Sequence, residues 1–159
     1  MIFDIFLLLI IFQLKFFTAD YLLQTPYMLQ KFRPDWGFAL PLLMHAGVHA
    51  MFTLAICLLL APNLWWLVVV DLLTYFIIDR VKAGPKYLGR FKVMSVTDFS
   101  MAKQDLCIAK LLNDEREIKK IEKKFKHNAY YWISIGFDQM LHNLVHYYII
   151  FAIIIDKAL

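Results

Sequence analysis

Apolar positions in this chain are gathered into four long blocks, at about 2–23, 38–61, 64–79 and 129–155. The breaks between them are polar or helix-breaking: Gln24-Thr25-Pro26 with Pro34 after the first, Pro62-Asn63 after the second, and a long charged stretch over 81–128 before the fourth. A membrane-spanning helix needs about 20 mostly apolar residues, within a range of about 17–25. The first, second and fourth blocks meet that length. The third is short, with Asp79 and Arg80 at its end for the headgroup region. Runs such as WWLVVV and HYYIIFAIII leave no polar face for water, which argues against a soluble helical bundle. The pattern predicts an all-α, polytopic membrane bundle of about four transmembrane helices forming a single domain over 1–159.

Composition agrees. The 159 residues are 61% hydrophobic, 16% aromatic and 19% charged, and mean hydropathy is +0.58. These values exclude a disordered chain, a collagen and a secreted disulfide scaffold. Cys57 and Cys107 lack a Cys-x-x-Cys spacing, which suits reduced thiols. The first block has no basic start and no small-x-small site after it, unlike a cleaved signal peptide.

The formal charge of +4 matters less than its distribution. Counting from Arg80 to Lys126 takes in 13 of the 17 Lys and Arg residues. The positive-inside rule therefore places the 81–128 loop in the cytoplasm and both termini outside, as in a bacterial inner membrane. The 24–37 loop, with Lys31 and Arg33 against Asp35, then also faces the cytoplasm. Within the basic loop, 113–127 reads as an amphipathic helix capped by Asn113, acidic at its start and basic at its end, suited to anionic lipid headgroups or to docking on the bundle. Tyr and Trp residues flanking the third and fourth blocks read as interfacial anchors. No phosphate-binding glycine loop or nucleophile elbow is present, and the basic loop lacks the interleaved aromatics of a nucleic-acid platform.

Ionisable groups within spanning helices are costly and are functional candidates. Here they repeat in steps of four: His45 and His49; Asp71, Tyr75 and Asp79; Asp138, His142 and His146. Each set shares one helix face. With the inferred topology, His45 and Asp138 lie roughly 10–14 Å in from the cytoplasmic entry of their helices. Asp20 and Asp79 lie at the cytoplasmic ends of theirs. Imidazole and carboxylate suit Zn²⁺ first, with Mn²⁺ or Fe²⁺ as alternatives. The expected metal ligands, or their direct partners, are His45, His49, Asp138 and His142. Asp20 and Asp79 are expected as further ligands or the general base, with enough groups for two ions. For Asp71 the plainer expectation is pairing with Tyr75 or a proton-relay role, and for His146 a hydrogen bond to a neighbouring helix. Lys15 is read as a salt-bridge or snorkelling residue.

Four segments occur in order that resemble a small family of bacterial and phage membrane proteins, domain of unknown function 3307: ADYLLQT at 19–25, LMHAGVH at 43–49, TYFIIDRVK at 74–82 and DQMLH at 138–142. The resemblance implies a polytopic membrane protein with Asp20, His45, Asp79, Asp138 and His142 as the family's polar positions, and a more distant likeness to membrane-bound metal-dependent hydrolases. The family's third segment often has His where this chain has Tyr75, and the insert at 83–127 lies outside the matched segments. The expected function is a membrane-embedded metal-dependent hydrolase acting on a phosphoester or lipid-linked substrate at the cytoplasmic leaflet. The alternatives are a non-enzymatic membrane protein binding a host membrane partner or itself, and a small proton or ion conductor.

Overall fold

The computed structural model describes residues 2–158. Among them the regular structure is entirely helical, with no strand. Helix α1 runs over Ile2–Phe17 and passes directly into a π-helical turn at Thr18–Leu22. Short 3₁₀ turns at Met28–Phe32 and Trp36–Phe38 lead to α2, Ala39–Leu60. Pro41 lies in the first turn of α2, where a missing N–H costs nothing. Ala61 leaves helical geometry because Pro62 follows it. Helix α3 spans Leu67–Ala83 and stops at Gly84-Pro85. The chain then folds back so closely that a Cβ on Gly89 would run into the Ala83 carbonyl.

Helix α4, Val96–Leu111, is capped by Ser95, whose Oγ accepts from Asp98 N at 3.0 Å. It has no counterpart in the elements expected from sequence. Asn113, expected as an N-cap, instead closes the α4–α5 turn with a left-handed φ of 53°. Asp114 caps the next helix, accepting from the backbone N–H of Arg116 and Glu117 at 3.0 and 3.2 Å. The expected amphipathic helix at 113–127 is not a separate element. It is the first part of α5, which continues unbroken over 44 residues from Glu115 to Ala158. Nothing between Lys126 and Tyr130 breaks a helix, so the basic segment and the fourth apolar block form one rod about 66 Å long. Helix α4 packs back on its basic half through Phe99 and Phe125, with Ile121 buried nearby.

Helices α1, α2, α3 and the C-terminal half of α5 form the bundle, with α2 along α3 and both α1 and α3 along α5. Its core is layered. At one end Leu8, Phe12, Cys57, Ala61, Leu67, Ile149, Ile150 and Ile153 make a closed apolar cluster. Next comes a buried polar layer. Lys15 Nζ donates to Asp71 Oδ2 at 2.7 Å and to Thr53 Oγ1 at 2.8 Å, while Thr53 donates to the same Asp71 oxygen at 2.7 Å. Asp71 thus pairs with Lys15 and Thr53 rather than with Tyr75. Below this layer lie Phe16, Tyr75, His49 and His142, and then the carboxylates at the basic end.

The outside of the bundle carries many large apolar side chains. Phe3, Phe6, Leu14, Met51, Leu59, Leu73, Ile77, Ile133, Leu144 and Phe151 are all exposed. Large exposed apolar patches are rare on monomeric soluble proteins. Two helices are long and apolar enough to cross a membrane, Ile2–Leu22 and Trp36–Leu60. Helix α3 has 17 residues and carries Asp71, Asp79 and Arg80, while Asp138, His142, Asn143 and His146 dilute the apolar half of α5. The residues that fill the core are the ones that weaken these two helices as apolar segments.

Replacing Asp71 with Ala leaves the Lys15 ammonium buried without a counter-charge and is expected to cost about 3–5 kcal/mol. The double variant Lys15→Met/Asp71→Leu recovers most of that loss. Unfolding of the two variants in detergent micelles measures both.

Candidate metal centre

The sequence stripes meet. Asp20, on the π turn after α1, lies against α2, where His45 Nε2 is 3.1 Å and His49 Nε2 is 3.2 Å from its Oδ1. π-Helical turns insert an extra residue into the helical register and are frequent at functional sites. Asp79 near the end of α3 and Asp138 and His142 on α5 form a second group. His142 Nε2 is 3.3 Å from Asp79 Oδ1 and 3.5 Å from Asp138 Oδ1. Each triad places one ligand atom from every member within 4.8 Å of the others. The triads are joined, because His45 Nε2 also lies 3.2 Å from Asp79 Oδ2. All six sequence-predicted residues therefore belong to one continuous cluster. Asp20 and Asp79 are integral members of it, not additions at its edge.

Two details bear on what the cluster holds. First, His45 Nε2 faces two carboxylates and forms an acceptable hydrogen bond with neither. Asp79 Oδ2 already accepts from Lys31 Nζ, while a cation beside Asp20 Oδ1 would engage the unpaired imidazole nitrogen. Second, Asp138 Oδ1 is buried without a hydrogen-bond partner while it faces His142. Ligands bound about 2.1 Å from an ion sit roughly 3.0–3.4 Å from one another in octahedral or tetrahedral geometry. The shortest separations, 3.1–3.3 Å, fall in that range, which ordinary hydrogen bonds share, and the remaining ligand atoms of each triad lie within 4.8 Å. The residues present fit a divalent cation with nitrogen and oxygen ligands, and His45, His49 and Asp20, or His142, Asp138 and Asp79, would hold it.

Three lysines complete the charge pattern. Lys15 serves Asp71 in the layer above. Lys31 Nζ donates to Asp79 Oδ2 at 2.6 Å, and Lys82 Nζ donates to Asp138 Oδ2 at 2.6 Å. Sequence reasoning counts Lys31 and Lys82 as loop charges and misses their place in the site. A signal exists for Lys82, which lies three residues after Asp79 on the same helix face. For Lys31 there is no local signal, because it reaches Asp79 across 48 positions of sequence.

Tyr75 is the scaffold of the cluster. Its ring lies between His49 and His142, with centroid separations of 3.9 and 4.1 Å. Its hydroxyl is 2.9 Å from His146 Nε2, the cross-helix bond expected for that histidine. Asp20, Lys31, Asp79 and Lys82, with Gln24 and Gln139, line a cleft of about 210 Å³ that opens at the basic end.

No family model matches the chain, and neither a curated protein nor a solved structure matches it.

Tyr75→Phe keeps the ring between the two imidazoles and is expected to cost about 1 kcal/mol for the lost hydroxyl contact. Tyr75→Ala removes the ring and is expected to cost about 3–5 kcal/mol. Thermal unfolding of the two purified variants measures the difference.

Proposed function

We propose that this chain is a four-span membrane protein whose core is a divalent-metal centre, and that it hydrolyses phosphoesters of lipid or lipid-linked substrates at the cytoplasmic leaflet. The observation that carries the reading is the convergence of six ligand-type side chains, drawn from four separate segments, on one buried cluster in which each triad offers ligand atoms within 4.8 Å of one another. The apolar exterior supports lipid as the solvent of α3 and α5 as well as of the two more apolar helices. The clustering of Lys and Arg at the end where the cleft opens supports a cytoplasmic mouth. We also propose that the ordered motifs place the chain with the domain of unknown function 3307 family.

A bound divalent ion would polarise a phosphoryl oxygen and lower the pKa of its water. The chain's own residues divide the remaining work. The two triads would hold metal, His45 and His49 with Asp20 through its Oδ1 in one, and His142, Asp138 and Asp79 in the other. Asp20 meets both of its imidazoles through Oδ1 and is the least buried of the cluster's carboxylates. Its Oδ2 is the group to take the proton from the attacking water. Water oxygen bonds to phosphorus, the ester P–O bond breaks, and the departing alkoxide takes up the proton that Asp20 accepted. Conduction across the bundle is the weaker reading, because the polar layers end at Lys15 and Asp71 against the closed apolar cluster.

Purified protein is expected to contain stoichiometric divalent metal by elemental analysis and to hydrolyse p-nitrophenyl phosphate. His45→Ala and His142→Ala should each lose metal and at least about a hundredfold in rate. Metal-free protein, or full activity in both variants, would sink the hydrolase reading. The topology has its own check. A membrane-impermeant maleimide should label exposed Cys107 in inverted vesicles but not in intact cells, and should leave buried Cys57 unlabelled in both.

A further inference from the structure

We propose that Lys31 and Lys82 form a phosphate clamp at the mouth of the metal cluster, and that it takes a phosphate monoester beside bound divalent metal. This rests on the metal-centre reading above and names the anion that the same cleft receives.

Both lysines line the cleft that opens onto Asp20 and Asp79. They come from different elements, Lys31 from the 3₁₀ turn at Met28–Phe32 and Lys82 from the last turn of α3, and each is locked onto a carboxylate of the cluster. Lys31 is 6% exposed, so its charge lies deep in the wall of the cleft. Gln24, with its amide turned to satisfy both neighbours, accepts from Lys31 Nζ at 3.2 Å and donates to the Asp20 carbonyl at 3.1 Å. That contact fixes the lysine toward the cleft. A buried lysine held by two acceptors is a positioned cation, not a loosely solvated charge.

The choice of oxygens leaves room for an ion. Lys31 and Lys82 each take Oδ2 of their carboxylate. The Oδ1 atoms of Asp79 and Asp138 face His142. The lysines therefore do not occupy the oxygens that complete the second triad. They can remain beside a bound ion, with their other N–H groups directed to an anion in the cleft.

Charge favours an anion beside bound metal. Imidazoles ligate metal as neutral donors, so Asp20, Asp79 and Asp138 against Lys31 and Lys82 then sum to one negative charge. One divalent ion brings the metal-loaded cluster to one positive charge, and two ions to three. An unbalanced positive charge in a low-dielectric bundle demands an anion: a monoanion neutralises the one-ion cluster, and a dianion suits the two-ion cluster better.

The test is calorimetric titration of inorganic phosphate into the full chain in detergent micelles, zinc-loaded and chelator-stripped. Zinc-loaded wild type is expected to bind phosphate at least about tenfold more tightly than stripped protein, and the zinc-loaded Lys31→Met/Lys82→Met variant to lose at least about tenfold in phosphate affinity, the worth of one charge-assisted hydrogen bond. The same variant should bind zinc as well as wild type or better, because two competing cations are gone. Lys31→Arg/Lys82→Arg should retain phosphate binding. If the double Met variant does not fold, Lys82→Met at the more open mouth carries the same expectation alone. Parallel arms with soluble glycerol 3-phosphate and with phosphatidic acid in the micelles separate a free ester from a lipid headgroup. Lysine-dependent binding in either arm supports the clamp, and its absence from both overturns it. Zinc binding without lysine-dependent phosphate binding overturns the clamp and leaves the metal centre standing. No zinc binding overturns both.

Discussion

A charge enclosed in an apolar bundle must find its partner inside that bundle, and the architecture of this chain follows from that requirement. Neither the apolar exterior nor the closed cluster around Phe12 and Ile149 offers water to Lys15, Asp71, Asp79 or Asp138, which are all almost fully buried. Each is therefore tied to a group on another helix or on the 24–38 loop. Such contacts contribute less to net stability than their closeness suggests, since desolvation takes back much of the attraction. They do impose specificity. Sliding one helix by a turn would leave several buried charges unpaired at once.

The layers divide the molecule into a sealed half and an open half. Leu8, Cys57, Leu67 and Ile153 close one end. The Lys15–Asp71–Thr53 contacts bind α1, α2 and α3 immediately beneath. Tyr75 carries order from that layer to the next through its hydroxyl and both faces of its ring. At the other end the π turn and the two 3₁₀ turns bring Asp20 and Lys31 over the ends of α2 and α3. Arg80 holds the loop in place, its guanidinium 3.4 Å over the Phe38 ring and its Nη1 donating to the Arg33 carbonyl. A rigid, sealed scaffold beneath an open cluster is the arrangement that positions ligands without leaking through the bundle.

Much of this is legible in the sequence, for a definite reason. Four-residue spacing reports which side chains share a helix face, so the sequence alone groups His45 with His49 and Asp138 with His142. The Lys and Arg distribution reports depth, which brings Asp20 and Asp79 to the same end. Periodicity is silent on pairing between helices. Lys31 and Lys82 therefore read as loop charges, and Asp71 reads as a partner of Tyr75, its neighbour one turn on, although the longer Lys15 side chain reaches it from α1. The continuity of α5 is hidden for a different reason. A change from charged to apolar composition at Asn128 resembles a boundary, but composition does not end a helix when no breaker accompanies it. Helix α4 is weakly patterned, and its packing against α5 through Ala102, Ala109 and Ile121 is what selects it.

If imidazoles and carboxylates from different helices surround one cation inside the bundle, X-ray absorption spectroscopy of the zinc-loaded protein reads that shell directly. The expected spectrum has four or five nitrogen and oxygen ligands at about 2.0–2.2 Å, with the outer-shell scattering of at least two imidazoles. A spectrum with sulfur ligands, or with oxygen ligands and no imidazole scattering, would rule out a cation held by these helices.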